Sequence, residues 1–139
     1  MKNGNKILTL VLTFIYIMSC NTIKRDNSNL TRVWMLVEFN QFDKEYLSNK
    51  KAYLDLKQSN IASSKMGCNQ LSFEYTIKSN SEIKFSTVIA TRMFCNDMQL
   101  ENDFSKAIVS INHFEINGHQ LILTSKEGIK LVFIAQDWD

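Results

Sequence analysis

From Leu30 onward, apolar residues recur at every second position over several short stretches. Leu71, Phe73, Tyr75 and Ile77 alternate with Ser72, Glu74 and Thr76. Ile83, Phe85, Thr87 and Ile89 alternate with Lys84, Ser86 and Val88. Ala52–Lys57 alternates as well, and Trp34–Phe39 is apolar and rich in β-forming side chains. A period of two buries one face of a strand and wets the other, the mark of antiparallel sheet. Ser79-Asn80-Ser81 predicts a turn between two of these runs. Asn117-Gly118 separates His113–Ile116 from His119–Thr124, a strong hairpin signal because both turn residues tolerate positive φ. Lys126-Glu127-Gly128 then turns the chain into Ile129–Ala135, which makes a three-stranded meander.

One segment has a different period. Leu100, Phe104, Ala107, Ile108 and Ile111 fall on a single helical face. Asn96 with Gln99 resembles a capping box, and Asp97 and Glu101 suit the positive end of a helix. The pattern predicts one helix at about 97–111, packed on a sheet or closing one end of it. The expected class is therefore mainly β (β-rich α+β): a small curved antiparallel sheet or partly open barrel of about seven strands with that helix. A sandwich is the rival architecture.

The first twenty residues follow another logic. Lys2 and Lys6 precede the apolar run Ile7–Met18, which ends at Ser19-Cys20. A cationic start, a short apolar stretch and a small residue before the cut describe a secretory signal. The run rises only about 18 Å as a helix, against a hydrocarbon core of about 30 Å, so it is too short to remain as a span. Ile17-Met18-Ser19-Cys20 resembles the bacterial lipobox. That resemblance implies cleavage after Ser19 and a diacylglyceryl group on the Cys20 thiol. Two or three acyl chains would make the tether stable where one would not. The expected organisation is a signal peptide at 1–19, a lipidated tether at 20–29 and one domain at 30–139. Asn21 is not the aspartate that retains lipoproteins in the inner membrane of enteric bacteria. By that analogy the protein belongs on the outer membrane, facing the periplasm.

Charge narrows the partners. The chain has 16 basic and 14 acidic residues, and Lys2 and Lys6 leave with the signal. The mature domain is neutral, with no footprint for nucleic acid and no polybasic membrane patch. The expected partners are the membrane, through the lipid, and an envelope protein.

Three cysteines occur in the chain. With Cys20 lipidated, Cys68 and Cys95 remain, an even number in an oxidising compartment. A bond between them would stabilise the fold by roughly 3.5 kcal/mol in the chain-entropy view. Two buried free thiols are the alternative. A Cys₂His₂ metal set from Cys68, Cys95, His113 and His119 is disfavoured, because no short ligand spacing is present and the histidines flank a turn. Neither a metal nor another cofactor is expected.

Met66-Gly67-Cys68-Asn69-Gln70-Leu71 followed by Tyr75 resembles the Gly-Cys-Asn motif of the META/HslJ-like domain family. Thr91-Arg92-Met93-Phe94-Cys95 is similar to its Thr-x-Met-x-Cys motif, and Glu101 with Phe104 to the start of its helix. Trp34 with Leu36, Leu121 with Leu123 and Leu131 with Phe133 fit its opening and closing strands. The resemblance spans about Leu30 to Ala135. Phe73 departs from it where glycine is usual, and Phe94 where a small residue is usual. The resemblance implies a β-rich, barrel-like fold with little helix and an envelope location, often as a lipoprotein. The family is associated with heat-shock induction, antibiotic tolerance and parasite motility, without a defined molecular activity.

No nucleophile elbow, phosphate loop or zinc-protease spacing is present, and no enzyme is expected. Glu74, Glu82 and Glu115 read as solvated or turn positions, and Glu101 as a helix-start charge. Arg92 is expected to pair with Glu101 or Asp97, tying loop to helix; binding an anion is its minor reading. Asn69 is expected to bond nearby backbone, with a ligand contact as its second reading. Trp34, Tyr53, Phe73 and Tyr75 are expected in the core, and Trp138 exposed. The function these readings favour is a non-enzymatic, lipid-anchored envelope protein that supports stress tolerance through protein contacts. A small-ligand-binding β-barrel is the alternative.

Overall fold

The computed structural model describes residues 29–138. The signal segment, Cys20 and all but the last residue of the tether lie outside them. The chain runs β1 (Val33–Phe39), α1 (Lys44–Lys50), β2 (Tyr53–Asp55), β3 (Ile61–Lys65), β4 (Gln70–Ile77), β5 (Ile83–Phe85), β6 (Ile89–Ala90), α2 (Gln99–Ser110), β7 (Ile111–Asn117), β8 (Gln120–Ser125) and β9 (Lys130–Ala135). All strand pairs are antiparallel. The order around the sheet is β5-β4-β3-β2-β1-β9-β8-β7, with β6 beside β4. The sheet curls into a nearly closed barrel. Its seam lies between β5 and β7, joined at the Glu82–His113 bridge, where the Phe114 N–H donates to Ser81 O at 2.8 Å.

Alternation places Leu71, Phe73 and Tyr75 inside and Gln70, Ser72, Glu74 and Thr76 outside. Among the described residues a single core cluster runs from Leu30 to Ala135. Phe73 packs edge-on against Phe85 at 5.7 Å and meets Phe104 of α2 at 6.3 Å. The ring that replaces the family's usual glycine thus fills the space beneath the helix. Tyr53 corrects the expected core: it is only partly buried on the outer face, and its hydroxyl donates to Gln70 Oε1 at 3.4 Å.

Three breaks in the alternation shape the barrel. In β1 the register with β9 slips between Leu36 and Glu38, so Leu36 and Phe39 both face inward although three residues apart. In β7 the same happens between Ile111 and His113, which turns Phe114 inward. Between β5 and β6, three steps along β4 from Tyr75 to Ser72 match four steps from Phe85 to Ile89. An extra residue reverses which face a strand presents and bends it. The expected continuous strand Ile83–Ile89 is therefore two strands, and Ile89 is 73% exposed rather than buried.

The turns also shift. The β7–β8 loop is Gly118-His119, closed by the Asn117–Gln120 pair, one residue later than Asn117-Gly118. Only Gly118 takes a positive φ (60°) there, the pattern of a type II′ hairpin. Helix α2 begins at Gln99 without a side-chain cap at Met98, so the Asn96–Gln99 capping box does not form. Asp97 Oδ1 accepts the Gln99 N–H instead, at 3.3 Å. Helix α1 is additional to the single helix expected. Asp43 caps it by accepting the Tyr46 N–H at 2.7 Å, and Lys51 ends it at φ 49°. Strand β3 is likewise additional. Both helices and the 91–98 loop sit at one end of the barrel; the amino-terminal entry and Trp138 sit at the other.

Candidate functional site

The polar residues singled out by sequence converge at the helix-covered end. Gly67 there has φ 112°, a conformation that strains any L side chain, and a Cβ on it would lie 2.7 Å from Lys50 Cδ, so the lysine stem would also have to shift. The next residue, Cys68, is bonded to Cys95, with their Cα atoms 6.1 Å apart. That closes the segment bearing Thr91–Cys95 onto the start of β4.

Asn69 is the centre of this arrangement and is 2% exposed. Its backbone N–H donates to Glu101 Oε2 at 2.6 Å, and its Nδ2 to Glu101 Oε1 at 2.8 Å. Nδ2 also donates to Met93 O at 3.3 Å. Its Oδ1 accepts from the Thr91 hydroxyl at 2.9 Å and from the Met93 N–H at 2.7 Å. A side-chain amide has two donors and two acceptor sites, and all four are used within the fold. Asn69 therefore braces the structure and has no capacity left for a ligand. Glu101 is 4% exposed. It is the buried acceptor for Asn69, a role that its place in the first turn of a helix conceals in the sequence.

Arg92 does not pair as expected. It is exposed and makes no ion pair among the described residues. Its two expected partners are otherwise engaged: Glu101 by Asn69, and Asp97 by α1. The Tyr46 hydroxyl donates to Asp97 Oδ2 at 2.6 Å, and Lys50 Nζ lies 2.9 Å from the same oxygen. The Tyr46 hydrogen bond, then Lys50 and the Gln99 N–H, hold the Asp97 carboxyl down at about 2. Burial, then the bond to Asp97 and its charge, push the Tyr46 phenol up to about 12.

The histidines are not brought to the cysteines or to each other. His113 faces Thr124 across the β7–β8 ladder, so the two do not form a cross-strand pair. His119 stacks on the half-exposed Trp138, with ring centroids 3.2 Å apart. Among the described residues no three of His, Cys, Asp and Glu are grouped to hold a metal. Glu74, Glu82 and Glu115 are exposed, far from forming a buried acid–base pair.

Trp34, Phe85, Phe104 and Phe133 are fully buried within the barrel. A groove of about 380 Å³ lies at the seam, lined by Lys78, Glu82, Lys84, Val109, His113 and Lys126 among others. The exposed apolar side chains are more informative. Phe94 is 93% exposed and Met93 52%, both on the segment that Asn69 and the disulfide hold in place. Sequence reasoning gave Met93 and Phe94 no surface role, although Phe94 in place of a small residue was the available signal.

Together these features define a small disulfide-braced β-barrel, its helix-covered end tied by a buried Asn–Glu pair. The META domain family matches residues 28–138, and the chain belongs to that family. Three solved structures share the fold. A protein from Burkholderia xenovorans, solved by NMR, is 22% identical with a TM-score of 0.64, covering 77% of this chain and 83% of that one. A second NMR structure is 19% identical with a TM-score of 0.53, covering 77% and 91%. The crystal structure of a DUF4847 family protein from Bacteroides vulgatus is 9% identical with a TM-score of 0.54, covering 78% and 94%. No curated protein matches the chain in sequence.

Proposed function

We propose that this is a lipid-anchored cell-envelope protein that acts by contact, without catalysis, and supports tolerance of envelope stress. The observation that carries this reading is the fate of the polar motif. Asn69 and Glu101 saturate one another and the loop backbone, and the two thiols form one bond. Groups that could have done chemistry are spent on bracing, and what they brace is an exposed apolar loop. The lipobox-like Ile17–Cys20 supports the anchor, and the outer membrane is the proposed location.

Metabolic labelling with a palmitate analogue tests the anchor. The wild-type chain is expected to label at Cys20 and to lose residues 1–19, whereas Cys20→Ala takes no label and stays uncut. A native protein that retains Met1 and a free thiol at position 20 removes the anchor from the account. Crosslinking in cells under envelope stress tests the contact; failure to recover any partner removes that part.

A further inference from the structure

We propose that the Arg92-Met93-Phe94 loop is a docking site for an acidic, apolar segment of a partner protein. The inference rests on the contact reading above and assigns it a surface.

The first argument is the way the loop is held. Thr91, Met93 and Cys95 are fastened to the barrel, and the residues between them are not. The Thr91 N–H donates to Gln70 O at 3.0 Å, and the Thr91 hydroxyl accepts from the Gln70 N–H at 3.1 Å. Met93 is held through both its N–H and its carbonyl by Asn69, and Cys95 by the bond to Cys68. Arg92 and Phe94 therefore project outward from a backbone fixed on both sides. A surface whose backbone is already ordered loses little entropy on binding. Aromatic, methionine and arginine side chains are the types enriched where binding energy concentrates.

The second argument is charge. Lys65 pairs with Gln70 across the β3–β4 ladder, and Gln70 bonds to Thr91, so Lys65 lies beside the loop. Lys51, at the end of α1, precedes the strand that pairs with Lys65. Lys51, Lys65 and Arg92 are all exposed, and none makes an ion pair among the described residues. Of the two acids near the loop, Asp97 is paired with Lys50, and Glu101 is buried and taken up by Asn69. An apolar tip that carries Arg92, with Lys65 beside it, complements carboxylates placed next to large apolar side chains. The same cations oppose a second copy of this chain, whose loop would bring like charges face to face.

The third argument is placement. The anchored segment enters at Asn29, and β1 carries the chain from that end toward the helix-covered end. With the proposed anchor attached at the Asn29 end, the loop lies at the opposite end of the described domain, a placement that favours a protein occupant over the anchoring membrane.

The test uses the purified full chain, detergent-solubilised, against a displayed library of random short peptides. Selected sequences are expected to combine Asp or Glu with aromatic or large aliphatic residues. Their affinity is expected to fall about tenfold on Phe94→Ala and on Arg92→Glu, and to survive Arg92→Lys. Salt is expected to weaken binding. Both altered residues are exposed, so the thermal midpoint is expected to stay unchanged and to exclude misfolding as the cause. No enrichment, or peptides that bind Phe94→Ala as well as wild type, overturns the proposal. So does binding to phosphatidylglycerol vesicles that Phe94→Ala abolishes, which makes a bilayer the occupant. A concentration-dependent dimer that the same variant dissolves overturns it too. None of these outcomes depends on Cys20, so failure here is separate from failure of the anchor.

Discussion

Replacing Asn69 by alanine removes both side-chain donors and the twice-used acceptor at once. The part-buried Met93 N–H then loses its acceptor, and the buried Glu101 carboxylate keeps only the backbone N–H of residue 69. Asn69→Ala is expected to destabilise the domain by about 3 kcal/mol, measured by urea unfolding. A loss below about 1 kcal/mol would show that water replaces the amide. Asp97 carries a different consequence. Its carboxyl is held below the unfolded value, so its contribution is present above about pH 4 and is lost as the pH falls through about 2. Tyr46→Phe removes the largest cause of that depression. NMR titration is expected to find the Asp97 pKa raised toward its ordinary value in this variant, and the acid-side loss of stability to begin at higher pH. An unchanged Asp97 titration would mean that Lys50 and the Gln99 N–H set it without the phenol.

Legibility ran out where one residue changes the parity of a strand. Period-two reading identified β4, which keeps one face throughout. Turn residues marked β8 and β9, the latter buried on both faces at Leu131, Val132 and Phe133. Helical period placed α2, where Leu100, Phe104, Ala107 and Ile108 bury one stripe. The period-two reading carried Ile83–Ile89 through as one strand because a bulge leaves no mark in composition. Helix α1 was missed because it is two turns long and buries only Leu47, too little for a periodic signal. Strand β3 was missed because Ser63, Ser64 and Lys65 dilute its alternation. The motif residues were legible as a group, but not their roles: whether Glu101 answers a helix end or a buried amide depends on a neighbour 32 positions away. At the end of α1, Lys51 holds a left-handed conformation that an L side chain resists. Lys51→Gly is expected to raise stability by about 1 kcal/mol, read from the denaturation midpoint. A loss instead would show that the lysine stem packs on the surface.

At the scale of the molecule, closure is unequal around the barrel. Strands β1, β8 and β9 are each bonded on both sides, and β4 is held by β3, β5 and β6. The disulfide ties two points at the helix-covered end. The seam is joined by the isolated Glu82–His113 bridge, where the Phe114 N–H donates to Ser81 O, rather than by a continuous ladder. Local opening follows the least-supported contacts, and backbone amides report it. Deuterium is therefore expected to enter the Phe114 amide well before those of Leu36, Leu123 and Phe133, when exchange is followed residue by residue. A barrel fastened in this way parts along a single zip line and keeps the remainder of its ladder intact. Breathing would then expose the flank of β7 to solvent while the braced loop at the far edge of β4 stays in place.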